Sequence, residues 1–183
     1  TIRWSGQLTD GLFQSALASF VLFSPERAPN AVSAALAFAV VLLPYSLIGP
    51  YVGTFLDRFS RQRIIRNCNY LRAVNLLIIA WLINNSSTGI ILTLFVLFAF
   101  GVNRLILSGL SAGLPLLVKK EELIAANALA VTGGTIWVVI GGGIGIAIKN
   151  LLSKGADADY ADAVVVLVAA MGFFIAALAC FRL

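Results

Sequence analysis

Long apolar runs separated by short polar breaks dominate this chain and limit what it can fold into. Six such runs occupy residues 4–23, 31–55, 64–83, 89–117, 123–148 and 163–181. Each is close to the length of about 20 residues that a helix needs to cross a bilayer. Because 60% of the residues are hydrophobic and only 11% are charged, too little polar sequence is left to cover these runs as the core of a soluble domain. The sequence therefore predicts an all-α membrane protein in which residues 1–183 form one bundle of six transmembrane helices.

Basic residues alternate between the two sides of the predicted bundle. One side, formed by the second and fourth loops and both chain ends, holds most of them: Arg58, Arg61, Arg63, Arg66, Arg72, Lys119, Lys120, Arg3 and Arg182. The opposite side mixes basic with acidic residues: Arg27, Lys149 and Lys154 with Glu26, Asp157, Asp159 and Asp162. Since short loops rich in Lys and Arg stay cytoplasmic, we expect a multi-pass protein of the plasma (inner) membrane with both termini of this segment cytoplasmic. Topology thus explains the net charge of +5, and no nucleic-acid partner is expected.

Few residues suit catalysis or metal binding. The chain has no His, and its two cysteines, Cys68 and Cys180, lie in or beside predicted helices without metal-ligand spacing. The glycine-rich stretch TGGTIWVVIGGGIG lies inside the fifth run and lacks the preceding strand and following Lys of a phosphate-binding loop. We therefore expect no enzyme activity, no metal and no cofactor.

Two charged residues lie deep within the apolar runs. Asp10 shares one face of the first helix with Gln7 and Gln14, and Arg104 in the fourth helix has Ser108 one turn later. At a rise of about 1.5 Å per residue, Asp10 and Arg104 fall at similar depth in the bilayer. Since an unpaired charge there costs on the order of 2.5–3.5 kcal/mol, we expect Asp10 and Arg104 to be partners.

Small residues are spaced for close helix packing. Gly49 and Gly53 lie one turn apart in the second run, and Gly141, Gly142 and Gly145 lie in the fifth. Glycines at such spacing let helix backbones approach each other in membranes.

The stretch after the second run resembles the signature loop of the major facilitator superfamily (MFS) of secondary transporters. That loop runs Gly, three residues, Asp, a basic residue, one residue, Gly, then two basic residues. This chain reads Gly-Thr-Phe-Leu-Asp-Arg-Phe-Ser-Arg-Gln-Arg over residues 53–63, with Ser60 in place of the second glycine and Gln62 in place of one basic residue. In the family the loop is a cytoplasmic latch, so the resemblance implies that role for Gly53, Asp57, Arg58, Arg61 and Arg63.

The resemblance also implies a fold and an activity. It makes the chain the N-terminal half of a twelve-helix transporter that works by alternating access. Helices one and four line the cavity in this family, which implies that Asp10, Gln7, Gln14, Arg104 and Ser108 handle protons or a small-molecule substrate. A glycine-rich fifth helix is typical of drug/proton exporters, although the Pro of their motif is absent here, and it favours proton-coupled efflux of a small amphipathic solute. Such a half needs a facing wall, either a C-terminal six-helix half or a partner subunit.

Two interpretations stay open at this stage. The chain belongs either to a transporter or to a non-transporting accessory or assembly subunit that retains a half-transporter fold. Two roles also stay open for Asp10: it binds and releases a proton, or its pair with Arg104 permanently fixes two helices.

Overall fold

The computed structural model describes residues 2–22, 60–87, 89–116, 118–153, 155 and 157–180. These residues form five α-helices and contain no strand: α1 (Ile2–Leu22), α2 (Arg61–Asn84), α3 (Ile90–Gly113), α4 (Leu123–Leu152) and α5 (Ala158–Ala179). Two short 3₁₀ turns, Leu114–Leu116 and Lys120–Glu122, connect α3 to α4. The prediction of an all-α fold is therefore confirmed for the described residues. The second predicted span, 31–55, lies outside them, as do Gly49, Gly53, Asp57 and Arg58.

The described helices overlap the predicted ones, with the largest differences around the break between α4 and α5. Helix α5 begins at Ala158, five residues before the predicted start at residue 163. Asp157 is its extended N-cap residue and Asp159 lies in its first turn, where a negative charge stabilises the helix dipole. The acidic stretch that indicates a loop by composition thus also favours a helix start.

Three of the described helices are long and apolar enough to cross a membrane. They are α3, the segment Lys120–Leu152 that contains α4, and α5, with mean hydropathies of 2.3, 1.9 and 2.4. Helices α1 and α2 are of similar length to α3 and α5, with 21 and 24 residues, but they carry more polar side chains. Much of that polarity is buried inside the bundle: Thr9, Asp10, Asn69, Arg72 and Asn75 are each less than 5% exposed.

The main apolar core lies between α1, α2, α3 and α5. Phe13 of α1, Leu76 of α2, Ala99 of α3 and Val166 of α5 are all at most 1% exposed within it. Among the described residues, α4 contributes only the partly buried Ile148 to this cluster. In an apolar 18-residue stretch of each helix, 6% is buried in α4, against 44% in α3 and 56% in α5, so α4 lies outside the main core.

Glycines allow α4 to pack closely on α1. A Cβ atom added to Gly141 would overlap the carbonyl oxygen of Leu8, and one added to Gly11 would overlap that of Val138. The backbones of α1 and α4 therefore touch at Gly11 and Gly141, which is the kind of contact that small residues permit in membranes. The other two glycines predicted to pack in α4 differ from each other. A Cβ added to Gly145 would overlap Ser15 Oγ, whereas a Cβ added to Gly142 would lie 3.8 Å from the carbonyl oxygen of Gly11.

We expect Gly141→Ala to lower the free energy of unfolding by about 1–3 kcal/mol, because the added methyl must displace backbone rather than a flexible side chain. Chemical unfolding of the purified protein in detergent micelles measures this. Gly143→Ala is the matched control, since no atom lies within 4 Å of its added Cβ, and it should be neutral or stabilising by up to about 1 kcal/mol. Equal losses in the two variants would contradict the close crossing.

Candidate functional site

A buried ion pair joins α1 to α2. Arg72 Nη2 donates a hydrogen bond to Asp10 Oδ1, and Asp10 and Arg72 are 2% and 1% exposed. A charge at such a position is taken out of water at a cost of several kcal/mol, which a close partner of opposite sign offsets. The pair therefore constrains how α1 and α2 pack against each other.

The Arg72 side chain also contacts two other helices. Arg72 Nη1 donates to Asn103 Oδ1 of α3 at 3.2 Å, and Arg72 Cζ lies 3.8 Å from the ring centroid of Phe173 in α5. The aromatic face attracts the cation through its quadrupole. We call Asp10, Arg72, Asn103 and Phe173 the arginine cluster, and it ties together four of the five described helices.

Arg72 belongs to a row of buried polar residues on α2. Asn69, Arg72 and Asn75 are spaced three residues apart, which places them on one helix face. Asn69 Nδ2 donates to the carbonyl of Ile65 in its own helix at 2.9 Å, and Asn75 Nδ2 donates to the carbonyl of Phe95 in α3 at 2.9 Å. Buried amides that find acceptors avoid the cost of unsatisfied polar groups.

The predicted partner of Asp10 is wrong. The described ion pair of Asp10 is with Arg72 rather than with Arg104, and Arg104 and Ser108 are half-buried on α3. The prediction that Arg72 flanks the cytoplasmic loop is also wrong, because Arg72 lies inside α2. Arg72 lies eleven residues after Arg61, where α2 begins, or about 16 Å along the helix axis at 1.5 Å per residue. Counting residues from the start of the helix would have placed Arg72 at this depth. No feature of the sequence indicates in the same way that Asn103 and Phe173 belong to the site.

The predicted polar stripe on α1 does not share one environment. Asp10 is buried, Gln14 is exposed, and Gln7 is half-buried. The Gln7 side chain lies against α4, because a Cβ added to Gly134 would meet Gln7 Cγ at 3.4 Å. The structure thus brings only Asp10 of this stripe into the arginine cluster.

The described part of the predicted latch lies at the start of α2. Arg61 is the first residue of the helix, and Arg63 is exposed. Gln62, which stands where the family motif has a basic residue, donates from Nε2 to the carbonyl of Cys180 at 2.8 Å. This hydrogen bond satisfies a carbonyl at the C-terminal end of α5, where helices leave acceptors unpaired. The loop motif is therefore linked directly to the end of α5.

A second ion pair joins α4 to α5. Lys149 Nζ donates to Asp162 Oδ2 at 2.8 Å, and Asp162 is 2% exposed. The sequence places both residues in an outer loop, but they lie within helices, because α4 continues to Leu152 and α5 begins early. The pair borders a cavity of about 280 Å³ between α1, α4 and α5, which Ser15 and Asn150 also line.

In the described ranges, no group of three or more His, Cys, Asp or Glu side chains is arranged to hold a metal ion. Cys68 and Cys180 are buried free thiols.

Comparison with known proteins finds relatives that are named as transporters. The chain is 35% identical over 168 residues to two proteins named "Uncharacterized MFS-type transporter", one from Mycobacterium bovis and one from Mycobacterium tuberculosis. The chain is homologous to MFS-type transporters. The match covers 92% of this chain but 38% of the length of each relative. No family model matches the chain, and no solved structure matches it. The resemblance to the MFS seen in the sequence is thus confirmed by relatives that are considerably longer than the chain.

We expect Arg72→Met to lower the free energy of unfolding by about 3–5 kcal/mol, because it leaves the Asp10 carboxylate buried without its counter-ion. The double variant Asp10→Asn/Arg72→Met should lose less, since it removes both charges of the pair. Chemical unfolding in detergent micelles compares the two.

Arg63→Met is the control for loss of a guanidinium, because Arg63 is exposed and surface substitutions usually change stability by at most about 0.5 kcal/mol. A double variant that is no more stable than Arg72→Met would show that the buried charges are not coupled.

Proposed function

We propose that this chain is part of a secondary active membrane transporter that exports a small amphipathic solute by alternating access in exchange for protons. The buried Asp10–Arg72 pair carries the proposal, because ionisable side chains inside a membrane bundle mark sites where protons bind and are released. The homology to MFS-type transporters supports the transport class.

Proton uptake would change the balance of charge in the arginine cluster. With Asp10 ionised, the cluster is neutral overall, because one carboxylate faces one guanidinium. With a proton on Asp10, Arg72 keeps its charge but loses this counter-ion in a site that is 1% exposed. Since an uncompensated buried charge is strongly destabilising, the protonated state favours a different arrangement of the helices. Coupled alternating access requires two arrangements of the helices whose populations depend on whether the proton is bound.

The remaining parts of the transporter follow from the same proposal. The chain would form a six-span half that includes the predicted span 31–55. A C-terminal six-helix half or a partner subunit would form the facing wall of the cavity, and the greater length of the relatives supports such a second half. Gln7, Gln14, Arg104 and Ser108 contribute to that cavity from α1 and α3. Solute contact fits the exposed Gln14 and the half-buried Gln7, Arg104 and Ser108 better than it fits Asp10.

The cytoplasmic latch is also proposed for this chain. Gly53, Asp57, Arg58, Arg61 and Arg63 would hold the outward-facing state, and the bond from Gln62 to the Cys180 carbonyl would connect the latch to α5. This assignment places the latch and both ends of the segment on the cytoplasmic side of the plasma membrane, in line with the distribution of Lys and Arg.

A second candidate function is that of a non-transporting accessory subunit. The near-complete burial of Asp10 and Arg72 favours it, because a permanent ion pair that only fixes helices needs no access to protons. Transport and assembly differ in one measurable respect, namely proton movement that depends on solute.

Proteoliposomes that contain the native protein and the pH-sensitive dye pyranine test the proposal. Under an imposed pH gradient, we expect ethidium or tetraphenylphosphonium, both amphipathic cations, to accelerate proton movement. Asp10→Asn should reduce this movement to the rate of protein-free liposomes, because the amide cannot carry the proton. Glu121→Gln is the matched control, since it makes the same acid-to-amide change at an exposed residue and should keep the wild-type rate.

A folded wild-type protein that gives no solute-dependent proton movement would overturn the proposal and favour the accessory subunit. Proton movement that survives in Asp10→Asn would overturn the role of Asp10 alone.

A further inference from the structure

Asn103 contacts the guanidinium of the buried ion pair. Its Oδ1 accepts the hydrogen bond from Arg72 Nη1 at 3.2 Å. The side chain is 5% exposed, so water does not compete strongly for it. Because an amide does not titrate, Asn103 remains an acceptor for Arg72 whether Asp10 is ionised or protonated.

Phe173 holds the guanidinium from another side. Its ring is fully buried, and Arg72 Cζ lies 3.8 Å from the ring centroid. This contact depends on the charge of Arg72 and not on the charge of Asp10. Two of the three described interactions of the guanidinium are thus independent of the proton.

Few other charges act on the cluster from the described helices. Helix α1 contributes Asp10, and α2 contributes Arg72 and, four residues before it, the buried Cys68 thiol. Helices α3 and α5 contribute the uncharged Asn103 and Phe173. A change in the charge of Asp10 is therefore the simplest event that alters the cluster.

We propose that Asn103 is a positioning residue that keeps Arg72 docked between α2, α3 and α5 when Asp10 takes up a proton. Protonation then loosens α1 from the cluster but leaves the other three helices joined. The proposal rests on the proposed function in one respect, namely that Asp10 is protonated during the cycle. One proton adds to a carboxylate oxygen of Asp10 to form an O–H bond and later leaves from it, and no other covalent bond changes.

Spin labels on exposed residues report which helices stay joined. Cysteines are introduced at Ser5 of α1, Leu71 of α2 and Ala112 of α3, all of which are exposed. The labelled variants are made in a background that carries Cys68→Ala and Cys180→Ala. They are reconstituted in lipid nanodiscs and measured by double electron–electron resonance. One label pair reports the α1–α2 distance, and the other reports the α2–α3 distance, over a series of pH values.

In the otherwise unchanged protein, we expect the distribution of α1–α2 label distances to shift as the pH falls. The distribution of α2–α3 label distances should stay narrow. In Asn103→Leu, the α2–α3 distances should be narrow while Asp10 is ionised and should lose their single narrow peak as it is protonated. A merely structural role for Asn103 would broaden them at every pH. Adding Asp10→Asn to Asn103→Leu should make the broadening independent of pH, because the amide resembles a permanently protonated carboxyl group.

Asn75→Leu is the matched control. It also removes a buried amide that links α2 to α3, through the Phe95 carbonyl, but it leaves the arginine cluster intact, so the α2–α3 distances should not acquire a pH dependence. If Asn103→Leu fails to fold, Asn103→Ser, which keeps a small hydroxyl in place of the amide, serves in the same comparison.

The outcomes separate this proposal from the proposed function. Broadening in Asn103→Leu that ignores pH, or that Asn75→Leu reproduces, overturns the positioning role even if transport is proton-coupled. The expected pH-dependent broadening in a protein that moves no protons with solute overturns the proposed function and leaves the positioning role in place.

Discussion

A guanidinium that is 1% exposed must find its partners inside the protein, because almost no water remains to solvate its charge. Arg72 meets this requirement with a carboxylate from α1, an amide oxygen from α3 and an aromatic face from α5. Each contact has a narrow range of acceptable geometry, so the three neighbouring helices are fixed relative to α2 at one depth. The apolar core around Phe13 and Leu76 then fills the space that these contacts define. Apolar packing alone tolerates sliding and rotation of helices more readily than a buried charge does.

Helix α4 is held by a different kind of interaction. It lies outside the main core and meets α1 through backbone contacts at Gly11 and Gly141, with the Lys149–Asp162 pair near its C-terminal end. In a bilayer, dispersion forces between closely approaching backbones replace the hydrophobic effect as the source of helix association. The bundle therefore combines the arginine cluster, which links four helices, with glycine contacts and a second ion pair, which attach α4.

The sequence predicts the helices better than their contacts. Length and apolarity suffice to find α3, α4 and α5, because crossing a bilayer demands both. The buried carboxylate of Asp10 is also found from its position in an apolar run, but depth alone assigns it to Arg104. Depth counts residues along each helix and says nothing about which helices are neighbours, so the sequence leaves Arg72 with the loop residues. Asn103 and Phe173 escape prediction because a neutral amide and a phenylalanine look ordinary in a membrane helix until an arginine lies beside them.

The separation in sequence between α1 and its partners has a consequence for how the protein is made. Asp10 is synthesised 62 residues before Arg72, and at about 5–20 residues per second this corresponds to a delay of about 3–12 s. The seam with α4 takes longer still, since Gly11 precedes Gly141 by 130 residues. During this interval α1 carries an unmatched carboxylate and an uncovered backbone surface. An α1 helix that enters the membrane first therefore lacks the counter-ion of Asp10 until α2 is made and lacks its glycine contact until α4 is made.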